Sequence, residues 1–305
     1  MKLIAPDYFM HFQCSADRCN HTCCKGWEID IDDDTLRKYK YIGGSLGKKL
    51  RENVDFENGC FRMLEGDRCP FLDENGLCEI ITEKGEYVLC DICADHPRFR
   101  NFFDTRTEIG LGLCCESAAK LIIENPDKVR LVTLEDDEYE EEATPEEKQT
   151  LEFRDGAVDI LQRSMLQPEI RIAEFLDYAD SSLPEKSPKE WADIFRALER
   201  LDRSWDKYLD LLSEADKLSL HDGMEFQQLA VYFAYRHLPQ SFEDDMTSAH
   251  AAFTALSVYI ISTIYGMTGS GDIEVLEDIA RMYSGEIEYS QDNLDFINYY
   301  LNKQI

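Results

Sequence analysis

The stretch CSADRCNHTCC, from Cys14 to Cys24, places four cysteines close together near the start of the chain. The chain contains 11 cysteines, all within its first 115 residues. The residues before Cys14 lack the apolar segment and cleavage site of a secretory signal, so we expect a cytoplasmic protein with reduced thiols. An odd number of cysteines in that compartment favours metal binding or redox chemistry over disulfides.

The spacing of the cysteines limits how many sulfurs can meet one metal. Cys90 and Cys93 form a CxxC motif, which lets one turn direct two thiolates to the same point, and Cys19 and Cys23 have a similar reach. The adjacent pairs, Cys23-Cys24 and Cys114-Cys115, do not easily ligate one ion together, because neighbouring side chains of an extended backbone point oppositely. The pairs indicate a multi-metal cluster, two nearby sites, or one ligand beside a packing cysteine.

Two metals fit this pattern. Structural zinc usually takes two CxxC-like knuckles, and the chain has one true CxxC, whereas an iron–sulfur centre tolerates more irregular ligand spacing. Unmetallated thiols are the third alternative. For His21 and His96, we expect hydrogen-bonding or exposed roles rather than ligation.

The charge of the chain excludes some partners. It has 32 basic and 62 acidic residues and a net charge of -30, which repels phosphate backbones and anionic lipids, so neither nucleic acid nor membrane is expected as a partner. The charge is -6 over residues 1–134 and -24 over residues 135–305. The acidic C-terminal part either favours a lysine-rich protein partner or is a solvated surface.

An acidic run, EDDEYEEEATPEE, marks the predicted domain boundary. We interpret residues 135–147 as a linker between a cysteine-rich metal-binding domain, 1–134, and a helical domain, 148–305. Thr144 and Glu147 have the spacing of a capping box, with Pro145 suited to the first helical position. A helix is therefore predicted to begin there.

The C-terminal part has helical periodicity almost throughout. Ser187 repeats the capping signal, and apolar residues then recur at three- and four-residue steps from Trp191 to Leu212, which predicts one buried helix face. Further helices are predicted over 224–237, 246–266, 273–283 and 291–303, the last capped by Ser290. The uncharged segment 251–271 is predicted to be a buried core helix rather than a membrane span, because serines and threonines interrupt it.

The N-terminal part has shorter elements. The alternation over Gly26–Asp32 predicts a strand before a helix that begins near Asp34, and Asn75-Gly76 predicts a hairpin turn. Such small irregular elements need a further source of stability, which metal ligation supplies. The expected fold class is α+β, predominantly α, with a cysteine-rich metal-binding N-terminal region of short strands followed by an all-helical C-terminal domain.

Six motifs in order resemble a known family. CSADRCNHTCCKGWEI, RCPFLDENGLCEI, LCDICADHPRF and LGLCCESAAKLII resemble the zinc- or iron-chelating family named for its CxxCxxCC motif, in the branch of flagellin lysine N-methylases. The helical part adds YFAYRHL, Tyr232–Leu238, and YSGEIEYSQDN, Tyr283–Asn293, which also look like that branch. The resemblance covers most of the chain, and its four cysteine motifs are more specific than the two helical ones.

The resemblance implies an activity that composition does not show. It implies methyl transfer from S-adenosylmethionine to lysines of flagellin, or of another lysine-rich protein, with an iron–sulfur cluster, of the 4Fe-4S type, in the cysteine region. Zinc is the alternative metal. The ligands implied by position are Cys14, Cys19, Cys23, Cys24, Cys69, Cys78, Cys90, Cys93 and Cys115.

The sequence departs from the family pattern at several positions. The first motif has wider spacing than CxxCxxCC, Cys114 competes with Cys115 as the matching ligand, and Cys60 matches nothing and is predicted to be a packed thiol. Gly285 stands where a basic residue is common, and Tyr289 where His is common.

Methylation of a lysine first requires loss of its proton, since the free amine has a pKa near 10.4. We name Glu286, Glu288 and Tyr283 as candidate catalytic residues, with Tyr289 beside them. A capped helix start on a solvated loop is the alternative for this segment. A non-catalytic zinc- or iron-chelating interaction module, or a metal carrier, are the competing functions.

Overall fold

The structure is a computed structural model that describes residues 1–137 and 142–304. It is 57% helix and 11% strand, which confirms the predicted α+β class with a predominance of helix. The strands of the described residues, numbered in chain order, are β1 Lys2–Pro6, β2 Val54–Asp55, β3 Cys60–Phe61, β4 Arg98–Phe102, β5 Arg106–Leu111 and β6 Leu131–Asp136.

The α-helices of the described residues fall before, between and after these strands. In chain order they are α1 Asp33–Tyr41, α2 Gly44–Asn53, α3 Glu79–Lys84, α4 Asp91–Asp95, α5 Glu116–Ile123, α6 Pro145–Leu161, α7 Pro168–Tyr178, α8 Pro188–Arg196, α9 Asp206–Glu214, α10 Met224–His237, α11 Ser241–Asp244, α12 Thr247–Thr268, α13 Ile273–Tyr283 and α14 Gln291–Gln304. Between α13 and α14 lies a π-helical turn, Ser284–Glu288, which we call the π segment.

The chain folds into two compact units. The cysteine unit is Gln13–Arg98, and the helical unit combines Met1–Phe12 with the chain from Phe99 onward. This division differs from the predicted domains 1–134 and 148–305, because β5, α5 and β6 belong to the helical unit. Its sheet pairs strands that are distant in sequence, and no local pattern indicates such pairing.

The predicted linker 135–147 does not connect the two units. Glu135 and Asp136 end β6 and pair with Leu3 and Lys2 of β1, so their charges lie on an ordered strand. Residues 138–141 of the run lie outside the described residues. The helix predicted after the run begins at Pro145, and Thr144 accepts a hydrogen bond from the Glu147 backbone as expected. The Glu147 carboxylate instead binds Thr105, which leaves the predicted capping box half formed.

The sheet of the helical unit has the order β4-β5-β1-β6, with β1 parallel to β5 and antiparallel to β6. Glu108 of β5 is fully buried and accepts two hydrogen bonds from Arg154 of α6, at 2.6 and 2.9 Å. Arg106 pairs with the same carboxylate at 2.5 Å. This charged cluster attaches the sheet to the helices.

Helix α12 is the centre of the helical unit. It packs against α7, α9, α10, α13 and α14. It is long and apolar enough to cross a membrane, yet 72% of its apolar window is buried inside the protein. The prediction of a buried core helix within 251–271 is confirmed.

Most predicted helix bounds agree with the structure to within a few residues, including α10, α12, α13 and α14. The single helix face predicted from Trp191 to Leu212 is wrong in one respect. Ser187 forms its capping box, but α8 ends at Arg196 and α9 begins at Asp206. The Glu286 carboxylate accepts hydrogen bonds from the backbone N–H groups of Leu201 and Asp202, which holds the intervening chain out of a helix.

The cysteine unit has its own hydrophobic core, which includes Tyr39 of α1, Leu50 of α2 and Phe71. The predicted strand Gly26–Asp32 is reduced to an isolated bridge between Asp30 and Cys60. The predicted turn at Asn75-Gly76 is confirmed. Asp73 accepts hydrogen bonds from the N–H groups of Asn75 and Leu77, and Gly76 has a φ of 80°.

Candidate functional site

Five cysteines of the cysteine unit lie near one another in its core or at the edge of that core. The backbone N–H of Cys69 donates to the carbonyl of Cys24 at 2.8 Å, which places these two residues on neighbouring segments. Cys78 pairs with Leu72 across the Asn75-Gly76 turn and immediately precedes α3. We call the set the five-thiol cluster, and its members are Cys24, Cys69, Cys78, Cys90 and Cys93.

The thiols of the cluster shift one another's pKa values. Burial, together with Cys24, Cys78 and Cys90, raises the pKa of Cys69 to about 12. A hydrogen bond between Cys90 and Cys93 lowers the pKa of the first and raises that of the second. A hydrogen bond with Cys23 holds the pKa of Cys24 at about 7.

The other four predicted ligands are not members of the five-thiol cluster, although Cys23 is hydrogen-bonded to Cys24. Cys14 is exposed and accepts a hydrogen bond from the Ala16 N–H at 3.4 Å, while the half-buried Cys19 donates to the His21 carbonyl at 3.2 Å. Cys23 is exposed and precedes the cluster directly. Cys115 belongs to the helical unit, where it is the N-cap of α5.

The structure also places three other residues named in the sequence prediction. Cys60 is 8% exposed in β3, as predicted for a packed thiol. His21 is exposed, and the ring of His96 lies against that of Trp27 with centroids 6.2 Å apart.

The donor chemistry of the cluster fits zinc or an iron–sulfur centre, since both take thiolate ligands. Among residues 1–137 and 142–304, no three Cys, His, Asp or Glu side chains are arranged to hold a metal ion. Metal binding by thiols releases their protons, so uptake by the largely protonated Cys69 and Cys93 is expected to increase with pH.

Asp32 joins the starts of α1 and α4. Its Oδ1 accepts from the Thr35 N–H at 2.8 Å as the N-cap of α1. Its Oδ2 accepts from the Asp91 N–H at 3.0 Å, at the first residue of α4. One carboxylate thereby fixes the starts of two helices, the second of which carries Cys93.

We expect Asp32→Ala to destabilise the cysteine unit by about 1–2 kcal/mol, because both helix starts lose a hydrogen-bond acceptor. Amide hydrogen exchange at Thr35 and Asp91 would measure the change. Asp33→Ala is the matched control, since it removes an acidic residue from the same helix turn at an exposed position. Equal exchange rates in the two variants would contradict the bridging role.

The helical unit brings the predicted catalytic residues into separate, fully engaged environments. The hydroxyl of Tyr283 is buried and shares a 2.8 Å hydrogen bond with Ser257. Glu286 binds Arg200 at 3.0 Å in addition to the backbone contacts described above. Each of these two side chains therefore holds one part of the helical unit to another.

Glu288, at the end of the π segment, lies in a buried polar network. One oxygen accepts from the Tyr232 hydroxyl at 2.9 Å, and the other is 2.6 Å from Nε2 of His237 and 3.3 Å from Nε of Arg236. Residues 232 and 236 lie one helical turn apart on the same face of α10, and residue 237 follows directly after 236. A π-helical turn often marks a functional site, and here it supplies both Glu286 and Glu288.

The network reaches the surface at two residues that the sequence analysis did not assign a joint role. Cys114 and Tyr289 share a side-chain hydrogen bond, and Tyr289 is 39% exposed. The Arg236 guanidinium lies 5.1 Å from the ring centre of Tyr289 and 4.9 Å from that of Phe99. In the sequence, the only sign of this network was the presence of the polar residues Tyr232, Arg236 and His237 within the motif YFAYRHL.

Protonation in the network follows from its burial. Burial lowers the pKa of His237 to about 4, so this imidazole is neutral near pH 7 and donates Nε2–H to Glu288. Burial opposes the charge of Glu288, but Arg236 and His237 hold its pKa below the usual range. Glu288 is therefore a charged partner of Arg236.

We expect the His237 ring to titrate near pH 4 in the folded protein, as followed by its ring resonances in NMR spectra. Because the folded pKa lies below the unfolded value of about 6.5, the neutral ring contributes roughly 3 kcal/mol of stability above pH 6.5. That contribution is lost as the pH falls from 6.5 toward 4. A midpoint near pH 6.5 would contradict the buried, neutral state.

Three curated proteins are similar to part of the chain. One is the "Flagellar biosynthetic protein FliU" of Salmonella muenchen, 28% identical over 134 residues, which cover 41% of this chain and 79% of that protein. The others are named "Lysine-N-methylase", from Salmonella choleraesuis (strain SC-B67) and Salmonella typhimurium, also 28% identical over 134 residues. The chain spans 33% of the length of each of these two proteins.

No protein-family model and no solved structure matches the chain. The resemblance to lysine methylases is confirmed at this coarser level. The identity is low and extends over less than half of the chain. The cysteine pattern of the family stays a prediction.

Proposed function

We propose that this protein is an iron–sulfur-containing lysine N-methyltransferase of the cytoplasm, which transfers a methyl group from S-adenosylmethionine to lysines of flagellin. The observation that carries the proposal is the similarity to two proteins named lysine-N-methylase and to a flagellar biosynthetic protein. The five-thiol cluster supports the metal part of the proposal. The net charge of -30 suits a lysine-rich substrate.

We assign the metal centre to the five-thiol cluster for its donor chemistry, although no three of its thiols are arranged around an ion among the described residues. Cys14, Cys19, Cys23 and Cys115 are kept as further predicted ligands. When bound, the metal cross-links segments of the cysteine unit that lie far apart in sequence, and so stabilises a region whose own elements are short. Zinc is the alternative occupant, since it takes the same thiolate ligands.

The reaction requires a lysine in its neutral form, because the ammonium has no lone pair to attack the methyl group. Glu288 is held in charge pairing with Arg236, so we assign it to positioning Arg236 and Tyr232 rather than to accepting a proton. Tyr289, with the half-buried Cys114 hydrogen-bonded to it, forms the solvent-facing edge of this network. We assign that edge as the place where the substrate approaches.

The test is methyl transfer by anaerobically purified, cluster-replete protein, using S-adenosylmethionine with a deuterated methyl group and flagellin as acceptor. Mass spectrometry of the acceptor is expected to show the labelled methyl on lysine. Cys69→Ser is expected to lose the activity, while Cys60→Ser, a buried cysteine outside the ligand set, retains it. Unlabelled lysines after reaction with the cluster-replete protein would overturn the proposal.

A non-catalytic zinc- or iron-chelating interaction module is the second candidate. The observation that favours it is that Tyr283, Glu286 and Glu288 all have partners within the fold. This candidate predicts a stable complex with flagellin in which the mass of flagellin does not change. The same mass measurement therefore separates the two functions.

A further inference from the structure

Glu277 of α13 is a buried carboxylate that the network above does not use. The residue is only 8% exposed to solvent. Its Oε1 atom has no hydrogen-bond partner among the described residues. A buried carboxylate oxygen without a donor is costly, so a donor from outside the chain would stabilise it.

The surroundings of Glu277 are acidic. Helix α5 packs against α13. Glu116 and Lys120 lie one turn apart on α5, and Glu124, four residues further on, is the C-cap of that helix. With Glu274 of α13, these are the charged groups that act on Glu277. Burial, together with the three carboxylates, raises the pKa of Glu277 to about 7, and Lys120 acts against that rise.

Lys120 does not neutralise this group of carboxylates. Its ammonium is 3.8 Å from the carboxylate of Glu124, in an exposed i,i+4 pair. Both Glu124 and Glu274 are exposed, while Glu277 is buried. The arrangement is a buried acceptor with an exposed acidic rim, which suits a compact cation that carries several N–H donors.

Two chain connections link Glu277 and its neighbouring carboxylates to the Cys114–Tyr289 edge. Helix α13 continues directly into the π segment, and α5 begins directly after Cys115. Along the helix axis, Glu277 lies about 9 Å before Tyr283, the last residue of α13. An extended peptide covers that distance with about three residues.

We propose that Glu277, with Glu124 and Glu274 at the rim, binds the ammonium group of a lysine side chain of the substrate protein. Identifying the lysine as part of the substrate rests on the function proposed above. At neutral pH Glu277 gives up its proton to solvent when the ammonium binds, and the carboxylate then accepts N–H hydrogen bonds. The site holds the substrate next to the Cys114–Tyr289 edge.

The test measures binding without a methyl donor. Isothermal titration calorimetry compares a capped peptide of alternating lysine and alanine with the same peptide acetylated at every lysine, using the metal-replete full chain. We expect the lysine peptide to bind at least tenfold more tightly to the wild type than to Glu277→Gln, since a charge-assisted hydrogen bond is lost. Glu152→Gln is the matched control, because it removes one exposed charge from α6 and therefore reports general attraction to an acidic protein.

Equal affinities of Glu277→Gln and Glu152→Gln for the lysine peptide would overturn the inference. So would equal binding of the lysine and acetyl-lysine peptides by the wild type. Glu124→Gln and Glu274→Gln, at exposed positions, test the same site if Glu277→Gln does not fold, and each is expected to weaken binding relative to Glu152→Gln.

The two proposals fail separately. Binding that depends on Glu277, together with the absence of methyl transfer, would remove the proposed enzyme function and leave the ammonium site. Methyl transfer without Glu277-dependent binding would leave the proposed enzyme function and remove the ammonium site.

Discussion

Replacing Glu108 by Gln is expected to lower the free energy of unfolding of the helical unit by about 3–5 kcal/mol, as for other buried ion pairs that lose one partner. Glu108 is fully buried and binds Arg154, which is 1% exposed, through two hydrogen bonds. The substitution leaves the Arg154 guanidinium buried without its main counter-charge. The measurement is urea denaturation followed by the fluorescence of the buried Trp191 and Trp205.

Glu174→Gln is the matched control for this prediction. It removes a carboxylate from an exposed pair with Arg163, where we expect a change of about 0.5 kcal/mol or less. The double variant Glu108→Leu, Arg154→Met removes both charges of the buried pair and is expected to recover much of the loss. If the single and double variants were equally unstable, packing rather than charge would explain the effect.

Replacing Glu288 by Gln is expected to lower the free energy of unfolding by about 3 kcal/mol, because Arg236 is left buried without a counter-charge. The same denaturation experiment measures it. Tyr232→Phe is the control within the network: it removes one hydroxyl from the same carboxylate, at a cost of about 1 kcal/mol. Equal losses in the two variants would contradict the charged role of Glu288.

The helices were predictable because their signals are local. Ser187 and Thr144 cap the helices that follow them, and apolar periodicity marks α10, α13 and α14. The break between α8 and α9 depends on the carboxylate of Glu286, which lies more than eighty positions further along the chain. Local periodicity cannot show such a contact.

The division of the chain was harder to predict for the same reason. The cysteine content and charge change near residue 134, but the sheet of the helical unit is built from β1 and from three strands that begin at residue 98 or later. The pairing of Lys2 with Arg106 joins positions that share no local pattern. Composition therefore located the cysteine-rich region without its boundaries.

The candidate sites, too, were predictable only where the sequence signal is local. The spacing of Cys90 and Cys93 indicated a shared position, and the structure places both in the five-thiol cluster. The tertiary contacts of Glu288 and Glu277 were needed to distinguish a paired carboxylate from one with an oxygen that has no hydrogen-bond partner in the described part of the chain. Both residues are acidic, and sequence alone does not separate their environments.

We propose that the five-thiol cluster holds an iron–sulfur centre. The most direct measurement is the content of iron, zinc and acid-labile sulfide per chain in anaerobically purified protein, for the wild type and for Cys69→Ser. We expect iron and sulfide in matching amounts in the wild type and their loss in the variant. Zinc without sulfide, or metal content unchanged by Cys69→Ser, would contradict the claim.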